Sequence, residues 1–131
     1  MESLLGNRTR RADITFHRNG KIDITSRLTK MLDLGDGDVI DIAFDRGEYY
    51  IYRMREAKDL VGRHEAQCHG THRGRLHPTR SMRAYSKRIC TAILNASNAT
   101  DKARIWAGEL CEIDNLGKAV VIIPASNNFF K

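Results

Sequence analysis

No stretch of the chain approaches the run of ~20 apolar residues that a membrane span requires, so no transmembrane helix is predicted. No secretory signal is expected either, since Met1-Glu2-Ser3-Leu4-Leu5-Gly6-Asn7 has no basic region followed by an apolar one. Cysteine is scarce: Cys68, Cys90 and Cys111 are odd in number and far apart. That pattern argues against a disulfide framework and fits reduced thiols, so a cytoplasmic location is expected. The sequons at Asn7, Asn95 and Asn98 are accordingly read as chance. Catalytic signatures are lacking too. No Gly-rich phosphate loop, nucleophile elbow or H-E-x-x-H stretch occurs. Cys68 beside His69 does not make a nucleophile pair, because adjacent residues need not face each other. The chain is not expected to be an enzyme, and no cofactor is expected.

What remains is a chain of 131 residues, 41% apolar and 29% charged, enough for one domain or two very small ones. Its formal charge is +6. Between Lys58 and Arg88 eight basic residues, among them Arg80, Arg83, Lys87 and Arg88, face only Asp59 and Glu65, so this one segment carries the entire excess. A basic concentration of this kind is an electrostatic footprint for polyanions, although a solvated linker has the same composition. Residues 1–11 form a basic arm, with Arg8, Arg10 and Arg11 clustered.

Residues 12–55 are the most legible part. Ile14 and Phe16 begin a strand that reaches Arg18-Asn19-Gly20-Lys21, where Asn-Gly predicts a hairpin turn because both residues tolerate φ > 0. Ile22 and Ile24 alternate with Asp23, the period of a half-buried strand. Ser26 is placed to cap a helix starting at Arg27, with Leu28, Met31 and Leu32 on one face and Thr29, Lys30 and Asp33 on the other. Gly35-Asp36-Gly37-Asp38 ends that helix. Val39–Phe44 and Tyr49–Met54 are predicted strands around a turn at Asp45–Glu48. Asp36 and Asp38 are expected to hold turn geometry rather than to act as catalytic carboxylates. The order is ββαββ.

The stretch Gly20-Lys21-x-x-Ile24, a short helix, then Leu32-x-Leu34-x-x-Gly37-Asp38-x-x-x-Ile42 resembles the swapped-hairpin module of the AbrB, MazE and SpoVT proteins. It covers about a third of the chain, and Thr25 stands where that family usually has proline. The resemblance implies a DNA-binding transcription regulator. It implies that the residue after the hairpin glycine and the outer helix face meet DNA. Lys21, Thr29 and Lys30 occupy those positions here, with Arg18 and Arg27 beside them. Relatives commonly carry arginines where Thr29 and Lys30 stand. Antitoxins of the family also bind a toxin, so a protein-interaction module is the alternative; the tail at 125–131 reads equally as an anchor or as a frayed end.

The last third repeats the later element order of the first, helix, strand, turn and strand, although no leading hairpin is legible in it. Ser86 caps a predicted helix through Leu94, Ala103–Ile113 is strand-like, Asp114–Gly117 turns, and Lys118–Ile123 is a strand ended by Pro124. Residues 80–124 therefore read as a diverged copy of 12–55, with 56–79 as a connector. A unit of some 45 residues seldom buries its own core. The expected architecture is mostly β with short helices: a swapped-hairpin barrel in which two ββαββ halves interleave as a pseudo-dimer within one chain, 12–124. A homodimer through 12–55 is the other solution. The second half would bring Arg83, Lys87 and Arg88 to an edge comparable with the first. Arginines there could engage phosphates or guanine edges.

Within the connector, His64, Cys68, His69, His72 and His77 gather four of the chain's five histidines. These are ligand types that zinc prefers, but the spacing matches no standard finger and no metal is assigned. Tyr50 and Tyr52 alternate on one strand face and are assigned to packing across the sheet, as is Trp106.

Overall fold

Alternating Ile14, Phe16, Ile22 and Ile24 form the predicted hairpin, β1 (Ile14–His17) with β2 (Lys21–Ile24), paired Ile14 to Ile24 and Phe16 to Ile22. The computed structural model describes residues 11–54, 65–71 and 80–124. The turn closes with Gly20 N donating to His17 O at 2.9 Å. Of Asn19 and Gly20 only Gly20 takes a positive φ, 102°, while the Asn19 side chain accepts from Lys21 N at 3.0 Å. A Cβ on Gly20 would also lie 3.3 Å from Lys87 N, so this corner requires glycine for two reasons.

Helix α1 spans Ser26–Leu32. It starts one residue earlier than the Ser26 cap predicts: Thr25 is the N-cap, and its side chain makes no capping bond. Its Oγ1 donates instead to Asp13 O at 3.1 Å. Asp33 then enters the left-handed region at φ 54°, and Leu34 N donates back to Thr29 O at 2.9 Å, ending the helix. Strands β3 (Ile40–Asp45) and β4 (Glu48–Arg53) follow, joined by Arg46 and Gly47, both at positive φ as a two-residue turn of this twist requires. Asp38 Oδ2 accepts from Gly35 N at 2.8 Å within the turn, as expected, whereas Asp36 Oδ1 accepts from Gly70 N at 2.6 Å and ties the turn to the connector.

Part of the connector enters the fold, and one expected strand needs correction. The connector is not all tether. Its residues 65–71 run beside 37–40, with Ile40 N donating to Ala66 O and Cys68 N to Asp38 O. They contribute β5 (His69–Gly70), and bury Ala66 and Cys68. Nor is Ala103–Ile113 one strand. It breaks into β7 (Lys102–Ile105) and β8 (Leu110–Ile113), which enter different sheets. The break is held by Ala107 N donating to Asp13 Oδ2 at 2.7 Å and Gly108 N to Val121 O at 2.7 Å. Between β5 and β7 stand β6 (Met82–Tyr85) and α2 (Lys87–Ala96), and β9 (Gly117–Ile123) completes the chain. Ser86 caps α2 as predicted, its Oγ accepting from Ile89 N at 3.1 Å.

The strands form two antiparallel sheets, ordered β5-β6-β2-β1-β7 and β3-β4-β9-β8. Both are open, and no closed barrel forms among the described residues. Their inner faces and one side of each helix share a single core around Phe16, Ile22, Leu28, Ile51, Ile93 and Val120. Burying each large apolar side chain contributes about 1.5–3 kcal/mol relative to exposure. Helix α1 packs on β9, and α2 on β1, β2 and β7. No helix among the described residues is long and apolar enough to cross a membrane.

Candidate nucleic-acid interface

Because side chains alternate across a strand, burying Ile14, Phe16, Ile22, Ile24, Met82, Ala84, Ala103 and Ile105 sends their neighbours outward together. Register then sets two rows across the outer face of the five-stranded sheet. One runs His69, Arg83, Asp23, Thr15, Arg104, and the next Tyr85, Lys21, His17, Lys102. On β1, β2, β6 and β7 this face carries the cations Lys21, Arg83, Lys102 and Arg104 against one carboxylate, Asp23.

Asp23 organises the centre of the face. Arg83 Nε donates to it at 2.8 Å, His17 Nε2 lies 3.0 Å away and Lys21 Nζ 4.0 Å. Partial burial alone would push this carboxyl up, but the hydrogen bonds from Arg83 and His17 and the charges of Arg83 and Lys21 outweigh it. The carboxyl is held below its ordinary value. Beyond Asp23, at one end of the strands, a cleft of about 570 Å³ opens, lined by Arg11, Thr15, Asp23, Arg83, Arg104 and Trp106 among others.

The eight residues assigned to DNA contact do not share one surface. Lys21 and Arg83 lie on the outer face, with exposed Arg18 in the adjoining turn. Exposed Lys87 meets that turn at Gly20, where Ser86 N donates to Gly20 O at 2.9 Å. Lys30 is exposed on α1. Arg27 is half-exposed and bound to Asp13, Nη1 to Oδ2 at 3.0 Å. Thr29 has to be withdrawn as a contact: it is fully buried, on the inner side of α1 with Leu28 and Leu32. Arg88 forks onto Glu65 at 2.7 and 2.9 Å and borders a separate, more apolar cleft of about 500 Å³ with Val39, Ile42, Phe44 and Tyr49.

Lys102, Arg104 and His17 belong to the face and were not singled out from sequence. The signal was present in Lys102-Ala103-Arg104-Ile105-Trp106-Ala107, a strict alternation of polar or aromatic with apolar positions. Trp106 also needs correction, because it continues the outward series and is 46% exposed. Tyr52 does interact across its sheet, its hydroxyl donating to Asp41 Oδ2 at 3.3 Å, whereas Tyr50 bonds Glu48 on its own strand.

Of the metal candidates, His64 and His72 lie outside the described residues. Cys68 and His69 do not converge: Cys68 is buried while His69 is exposed. Burial, and then the nearby Asp38 and Asp36, push the Cys68 thiol up to about 12, opposite to what a thiolate ligand needs. Among the described residues no three His, Cys, Asp or Glu side chains gather as a metal site would require. Compared with family models, curated proteins and solved structures, the chain matches none.

Proposed function

We propose that the protein binds DNA through the outer face of its five-stranded sheet, as a regulator built on the AbrB-like plan with two interleaved halves, 12–55 and 80–124. The observation that carries the function is the gathering of Lys21, Arg83, Lys102 and Arg104 on one face, with Arg18 and Lys87 at its hairpin end. Phosphates are attracted to such a surface, and the association weakens with salt as counterions are released. The two-half architecture is supported by strand order. β2 lies beside β6 at the middle of one run and β4 beside β9 at the middle of the other, so each sheet joins the halves through corresponding strands. Each helix, moreover, packs on strands of the other half.

A binding isotherm for a short duplex, repeated over a salt series, tests the function. Affinity should fall linearly on a log–log plot, and Lys21→Ala or Arg83→Ala should each lower the slope by about one. No measurable binding at low salt, or a flat series, rules the proposal out. Light scattering tests the architecture: one chain, 14.9 kDa, is expected in solution, whereas a stable dimer would favour pairing through 12–55.

A further inference from the structure

Trp106 is the chain's only tryptophan, and it stands nearly half exposed in the cleft that Arg83 and Arg104 also line. Tyr85, 55% exposed, lies on the same face at the opposite corner. Three strand spacings and four residues of rise separate the two rings, a diagonal of roughly 20 Å. Between them lie Lys21, Arg83 and Arg104, with Asp23 holding Arg83 at 2.8 Å. Large aromatic side chains are normally turned inward, because exposing them forgoes their burial energy. Here the two largest exposed rings of the sheet share a face with its cations.

Duplex DNA offers such rings nothing to stack on, since its bases present only their edges in the grooves. An unpaired base has a free π-face. We propose that this face binds a single-stranded polynucleotide, one base stacking on Trp106 inside the cleft while Arg83 and Arg104 hold the flanking phosphates, with Tyr85 as a second stacking station further along the strand. The cleft, about 570 Å³, falls within the usual range of small-ligand sites and suits one base with part of its sugar. Stacking of this kind tolerates any sequence, because every base has a π-face. The proposal rests on the reading of this surface as the nucleic-acid face, but adds a ligand that the duplex reading does not require.

The sole tryptophan supplies its own probe. The full chain is titrated with oligo(dT) and oligo(U) dodecamers and with a duplex of equal length, following Trp106 emission and the anisotropy of a labelled strand. Single strands are expected to quench the emission. Trp106→Ala should weaken single-strand binding by about ten-fold or more and leave duplex binding within two-fold. Trp106→Phe, which keeps a ring, should restore most of the single-strand affinity. Tighter binding of one dodecamer identifies the preferred polymer, and either preference supports the proposal. Duplex binding with no quenching, and single-strand affinity unchanged in Trp106→Ala, overturns stacking while leaving duplex recognition standing. Absence of binding to all three ligands overturns both.

Discussion

At the start of α1, Arg27 donates to Asp13; at the start of α2, Arg88 donates to Glu65. Each arginine is the second residue after its hydroxyl N-cap, Thr25 or Ser86, and each carboxylate directly precedes buried residues that run beside a neighbouring strand. The corners are alike in chemistry and opposite in setting. The Asp13 side chain is 2% exposed and also receives Ala107 N, so it ties β1, α1 and the break between β7 and β8 together. Arg88 is 79% exposed, and its pairing with Glu65 takes place at the surface. The caps are exchanged as well. Ser86 satisfies an early helical N–H and donates to Glu65 at 2.9 Å, whereas Thr25 turns to Asp13 O. One set of residue types serves as an internal strut at one corner and as a helix cap at the other, and burial decides which.

Removing the carboxylates breaks this comparison most sharply. Asp13→Ala strands Ala107 N–H in the interior and leaves Arg27 without its partner. About 3 kcal/mol of unfolding free energy should be lost, discounted from a fully buried pair because Arg27 reaches solvent. Glu65→Ala should shift the urea midpoint by less than a third as much, and equal shifts would remove the distinction between the corners.

The caps provide a smaller contrast of the opposite order. Ser86→Ala should cost about 1 kcal/mol and Thr25→Ala less, since only Ser86 bonds a helical N–H. Denaturation curves of the two variants check this.

Asp23 sharpens the comparison from a third position, exposed about as much as Glu65 yet ringed by Arg83, His17 and Lys21. Its folded-state pKa lies below the ordinary 3.8. The stability it contributes is therefore present above that value and lost as pH falls through the lower, folded one. Asp23→Asn should flatten the stability profile on the acid side, measured by urea unfolding from pH 5 downward. At neutral pH it should also tighten duplex binding a few-fold, by releasing Arg83 to phosphate. Unchanged acid sensitivity would show that other carboxylates govern the decline.

Much of the first half was legible because its signals are local. Period-two alternation marks β1 and β2, Gly20 and Gly47 mark turns, and apolar spacing marks α1. Ser86 announced α2 in the same way. Residues 65–71 were not legible, because a two-residue strand has no period and exists only where 37–40 and β6 offer partners. Thr29 was misplaced because it lies only about 60° around the helix from Leu32, at the margin of the apolar face, and packing against β9 turned it inward. Trp106 was misplaced because residue type was allowed to outweigh the alternation around it.

The residues by themselves determined the four strands of the first half, both helices, the glycine turns and the basic character of the chain, since these depend on steric preference, periodicity and charge within a few positions. Only the tertiary structure decided that β2 would lie against β6, that β7 and β8 would part into separate sheets, and that cations from three strands would face one way beside Trp106. Those outcomes depend on register between segments as far apart as Ile14 and Ile105, and strand register is set by which faces can be buried together.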